Sequence, residues 1–83
     1  MKKTRKDFKA IATKIAEKME AKFSSELVDI FATVSAGAII TFRMPLFTNS
    51  IDFGSYASLC ADVNKVSASI DCHANRIVTV HIY

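Results

Sequence analysis

Glycine and proline are scarce in this sequence, with two and one respectively in 83 residues. Gly37 and Gly54 stand alone, which excludes the glycine-rich loops that cradle phosphates. With half of the residues hydrophobic, the same scarcity marks a folding composition and not a disordered tail. Cysteine is limited to Cys60 and Cys72, and neither belongs to a C-x-x-C pair. A compact zinc site brings two thiolates to one ion through such pairs, so no metal or other cofactor is expected. Both cysteines fall on apolar positions of their own segments and are expected as buried, reduced thiols. No long hydrophobic run is present either. Between Asp29 and Arg43 the uncharged interval is 13 residues, short of the ~20 that span a bilayer. The charged start lacks a following apolar stretch, so no secretory signal is read and a cytoplasmic protein is expected.

What remains is a single domain over residues 1–83, too small to divide further. Its charge is uneven. Residues 1–22 carry eight of the eleven basic side chains and only Asp7, Glu17 and Glu20, while residues 23–83 hold a net −2. A basic opening on a mildly acidic body fits a polyanion or an acidic protein partner, or a solvated lysine face.

The chain begins with a helix over residues 5–23. Thr4 can cap it, leaving residues 1–4 as a basic tail. Phe8, Ile11, Ala12, Ile15, Ala16, Met19 and Phe23 recur at spacings of three and four, with lysines and glutamates outside that arc. Ser24 and Ser25 offer a second N-cap, and Leu27, Val28, Ile30, Phe31 and Val34 form an arc at helical period, so a second helix is expected to end at Gly37. A strand competes there, since Val28, Ile30, Ala32 and Val34 alternate. It would place Leu27 and Phe31 on the wet face with Asp29.

Residues 38–44 are β-branched, short and stopped by Pro45, and read as a strand. Residues 46–54 read as a loop. Tyr56, Leu59, Cys60 and Val63 give a short third helix, and residues 66–73 and 77–83 alternate as a hairpin through Ala74 and Asn75. The expected fold is α+β in the order α-α-β-α-β-β, a small antiparallel or mixed sheet with helices on one face.

Catalytic constellations are thin. Cys72 and His73 are neighbours on a strand and point to opposite faces, so the imidazole cannot readily activate the thiol. His81 could approach Cys72 from the paired strand, which leaves a weak enzyme reading without an orienting third group. Lys14, Lys18 and Lys22 are more informative. Spaced by four, they stack on one side of the helix, an arrangement that costs a few tenths of a kcal/mol per pair (~0.2–0.5) and favours an external anion. The connection from Met44 to Tyr56 adds Phe47, Ile51, Phe53 and Tyr56, of which Phe47 and Phe53 are candidate apolar anchors.

Residues 4–16, Thr-Arg-Lys-Asp-Phe-Lys-Ala-Ile-Ala-Thr-Lys-Ile-Ala, resemble the opening helix of small bacteriophage accessory proteins, which often read K-x-F-x-x-I-A-x-x-I. The resemblance covers 13 of the 83 residues and names no functional residue. It implies a phage protein that binds and alters a host component in the host cytoplasm, the broad class that includes anti-CRISPR proteins. The sequence therefore leads to a non-catalytic protein that acts stoichiometrically on a macromolecular partner, more readily a protein than a nucleic acid. Lys14, Lys18, Lys22, Phe47 and Phe53 would form the contact. A nucleic-acid-binding accessory protein is the alternative, with Lys2, Lys3, Arg5 and Lys6 extending the basic field. A homodimer is compatible with so small and apolar a chain.

Overall fold

The computed structural model of the chain describes residues 5–33, 37–45 and 50–83. Helix α1 (Arg5–Phe23) turns the expected arc inward: Ala12, Ile15, Ala16 and Met19 are fully buried and Phe8, Ile11 and Phe23 pack at the margin. Ser24 takes a left-handed backbone (φ 55°), and its amide donates to the Glu20 carbonyl at 2.9 Å. Buried Ser25 reaches back to the Met19 carbonyl at 3.5 Å. The two serines thus close α1 and redirect the chain.

The next element is strand β1 (Glu26–Thr33), not the second helix expected there. It pairs antiparallel with β2 (Gly37–Arg43), and the register slips between Leu27 and Asp29. That bulge at Val28 is the physical reason for the misreading. It lets Leu27 join Ile30 and Ala32 on the core side although the sequence alternation would send it outward. Phe31 and Asp29 do share the outer side, as the strand alternative required.

Helix α2 (Ser50–Val63) starts before the expected Tyr56, so the second half of the expected loop is helical. Its buried side is Phe53, Ala57, Cys60 and Ala61, which leaves Leu59 and Val63 in solvent against expectation. The helix closes with Lys65 left-handed (φ 59°) and the Val66 amide on the Ala61 carbonyl at 2.9 Å. Strands β3 (Ala68–Cys72) and β4 (Ile77–Ile82) form the expected hairpin.

The sheet order is β1-β2-β4-β3, with every neighbouring pair antiparallel. The observed order of elements is α-β-β-α-β-β, an α+β domain. It consists of two α-β-β units whose hairpins meet at β2 and β4. Each helix doubles back into the edge strand of its own hairpin. Because β1 and β3 run oppositely, the helices are antiparallel. Helix α1 lies over β1 and β2, and α2 over β3. The layer between holds Ile15, Met19, Ile40, Phe42, Phe53, Val80 and Ile82, with the Phe42 and Phe53 rings edge to face at 5.6 Å.

The β3–β4 turn carries two consecutive left-handed residues, Asn75 (φ 60°) and Arg76 (φ 61°), with the Ile77 amide on the Ala74 carbonyl. Asparagine tolerates that backbone, whereas arginine gains nothing from it. Arg76→Gly is expected to stabilise the domain by about 1 kcal/mol, raising Tm by roughly 4–8 °C. A thermal melt followed by circular dichroism checks this, and an unchanged or lower Tm would mean the turn is not left-handed at both positions.

Candidate partner-binding surfaces

Among the described residues, the large apolar side chains left in solvent fall on two opposite faces. On the helical layer, α2 exposes Ile51, Leu59 and Val63 along one side. On the sheet, Phe31 (56% exposed), Ile39 and Tyr83 emerge on the face no helix covers, and bulged Val28 is exposed as well. Apolar groups gathered on a surface make both faces candidates for contact.

The helical face centres on a cleft of 440 Å³ between the end of α1 and the first half of α2, lined by Lys22, Phe23, Asp52, Ser55, Tyr56 and Leu59. Phe23 anchors it, with its ring 5.2 Å from Phe53 and 5.8 Å from Tyr56. The Lys22 ammonium lies 5.0 Å from the centre of the Tyr56 ring, a cation–π contact that fixes the lysine against the cleft wall. Desolvation first, then the neighbouring Cys60, raises the Tyr56 hydroxyl pKa above the usual phenol value, so this wall stays uncharged near neutral pH. Asp52 sits in the first turn of α2, where a carboxylate complements the helix dipole. Lys18 and Lys14 continue from Lys22 up the same flank of α1 at successive turns. Both are exposed, and neither has an ion-pair or hydrogen-bond partner among the described residues. Of the three lysines, Lys22 is the one that lines the cleft, where Leu59 stands on the α2 wall.

The strand register lays out the uncovered sheet face. One row runs Phe31, Ile39, His81, Ser69; the next runs Asp29, Thr41, Thr79, Asp71; the third runs Glu26, Arg43, Ile77. The His81 and Tyr83 rings lie 5.2 Å apart at one end. At the other, His73 and Thr79 share a 3.1 Å hydrogen bond. Arg43 and Glu26 pair at 3.5 Å with both side chains largely in solvent, worth about 0–1 kcal/mol. Asp29 and Asp71 have no such partner among the described residues. The face therefore has Phe31 and Ile39 at one end of a row and an aspartate at each end of the row beside it.

Several sequence expectations change here. Phe53 is no surface anchor: it is 1% exposed, because α2 begins early enough to turn it into the core. Phe47, Lys2 and Lys3 lie outside the described residues, as does the side chain of Arg5, and Lys6 is exposed at the start of α1. Lys14, Lys18 and Lys22 are on one exposed flank, as the spacing required. Cys60 is buried, but Cys72 is exposed, since it ends an edge strand with a neighbour on one side only. Cys72 pairs with Val78 on the helix-covered side, while His81 belongs to the opposite face, so the two candidates for nucleophile and base are not brought together. Among the described residues, no three of His, Cys, Asp and Glu cluster as metal ligands would, and no helix is long and apolar enough to cross a membrane. The acidic–apolar sheet face escaped sequence reading, although Asp29 and Phe31, two apart, carried its signal. The chain matches no protein-family model, no curated protein and no solved structure.

Proposed function

We propose that this is a small non-catalytic binding protein that acts stoichiometrically by taking an acidic segment of a partner protein along the α1–α2 cleft. The observation that carries this reading is Lys22 in the cleft beside Phe23, Tyr56 and Leu59, with Lys18 and Lys14 exposed on the same flank of α1 and without carboxylate partners among the described residues. An ammonium row alone suits any polyanion. Phe23, Tyr56 and Leu59 beside Lys22 favour a polypeptide whose carboxylates alternate with apolar side chains. The phage resemblance of residues 4–16 supports the same role, with the partner a host or defence component covered at a functional surface, as anti-CRISPR proteins do in the host cytoplasm.

A random glutamate–tyrosine copolymer serves as the probe, with oligo-dT as the polyanion control. Fluorescence anisotropy is expected to show tighter binding to the copolymer than to oligo-dT. The double variant Lys14→Glu with Lys18→Glu is expected to lose roughly tenfold or more, as desolvated opposite charges become like charges. Binding should fall only modestly with salt, whereas a phosphate-dominated contact falls linearly in log salt with a steep slope. Tighter oligo-dT binding with that slope would replace this reading by the nucleic-acid one, and an unaffected double variant would remove the lysines from the site.

A further inference from the structure

We infer that the uncovered sheet face of one copy of this chain docks on the α1–α2 cleft of another, so that copies associate head to tail. The inference rests on the cleft reading above and names one occupant for it. The chemistry the cleft requires, a carboxylate next to an exposed apolar side chain, is present on the chain's own opposite face. Phe31 is 56% exposed on edge strand β1, and Asp29 lies two residues before it on the same side. That places the carboxylate about 7 Å from the ring along the strand. Lys18 and Lys22 are one helical turn apart, about 6 Å along α1. With the Phe31 ring in the cleft against Tyr56 and Leu59, Asp29 falls at Lys18. The cleft, at 440 Å³, has room for an aromatic side chain.

Charge selects this geometry over a symmetric one. Among the described residues, the sheet face has Asp29 and Asp71 without ion-pair partners, and its one arginine is engaged with Glu26. Packing two sheet faces together about a two-fold axis along the strands sets Asp29 against Asp71, and an axis across the strands sets each aspartate against its own copy. Packing two helical faces brings lysine rows together. Joining unlike faces instead sets the aspartates of the sheet face against the lysine flank of α1. Such a contact is heterologous: each copy keeps one free face of each kind, so assembly continues until a ring closes or the chain of copies ends.

Sedimentation velocity over roughly ten micromolar to one millimolar is the test, set for a small interface of modest affinity. The wild-type weight-average mass is expected to rise with concentration without stopping at the dimer. The sheet-face variant Asp29→Lys with Phe31→Ser and the cleft variant Lys14→Glu with Lys18→Glu should each remain monomeric. All four positions are in solvent, and a native circular dichroism spectrum confirms folding. Mixed one to one, the two variants share a single intact contact, the cleft of one with the sheet face of the other, and should form a dimer that grows no further. A wild-type chain that stays monomeric overturns the inference. So does a wild-type mass that stops at the dimer with no dimer in the mixture. The copolymer probe separates the two readings: if it binds the wild type and the sheet-face variant while the wild type stays monomeric, self-docking fails and the cleft reading stands. If it binds neither, both fall.

Discussion

Phe53→Ala is expected to cost about 3–5 kcal/mol and leave the domain at the edge of unfolding. The ring is 1% exposed and sits where both helices meet the sheet, 5.6 Å from Phe42 below it and 5.2 Å from Phe23 beside it. Truncation removes the transfer free energy of the ring and two aromatic contacts, and leaves a cavity whose walls belong to three elements. A domain of 83 residues has about 4–12 kcal/mol of total stability, so this one change consumes much of it. Phe31→Ala removes an equally large ring that is already more than half in solvent, and should shift stability by no more than about 0.5–1 kcal/mol. Urea melts of the two variants make the comparison internal. A Phe53→Ala midpoint close to wild type would return Phe53 to the surface and undo the position of α2.

The elements legible in the sequence are those whose hydrophobic period is unbroken. Helix α1 keeps its buried arc from Phe8 to Phe23, and β4 alternates cleanly through Val78, Val80 and Ile82. Strand β1 is illegible because one extra residue at Val28 moves the inward set from one parity to the other, and a bulged strand can imitate a helical arc. The serines compound this: Ser24 and Ser25 have the chemistry of an N-cap, yet here they end the previous helix. In α2 the difficulty is reversed. Periodicity treats every apolar residue as core, so Leu59 and Val63 read as inward, when the small residues Ala57 and Ala61 are what let the helix lie close to the sheet.

The candidate site divides along the same line. A lysine row at spacings of four is local, and the sequence displays it. The cleft depends on Tyr56 coming to rest beneath Lys22, and the acidic–apolar face depends on Asp29 and Asp71 sharing a row across four strands. Both arise from pairing between distant segments, which no local pattern encodes.

The two glycines are expected to respond to alanine with opposite signs. Gly37 opens β2 with φ at +81°, and a Cβ built there would collide with the Ile82 carbonyl oxygen of β4. The flanking pair, Ala38 with Ile82, is at the centre of the sheet, so backbone must yield where two hairpins join. Left-handed strain contributes about 1 kcal/mol for a residue with a Cβ, and the backbone collision brings the expected loss from Gly37→Ala to roughly 2–4 kcal/mol. Gly54 lies inside α2 and has no such conflict: its nearest neighbour would be Ile70 Cγ1 at 3.8 Å, an ordinary contact. There alanine gains helix propensity, and Gly54→Ala should stabilise by about 0.5–1 kcal/mol. Urea midpoints for the pair test the whole joint between the α-β-β units. If Gly37→Ala were tolerated, β2 and β4 could not approach as closely as they do. The rows that place Phe31 beside Ile39 and His81 would then lose their register, and with it the surface on which self-docking depends.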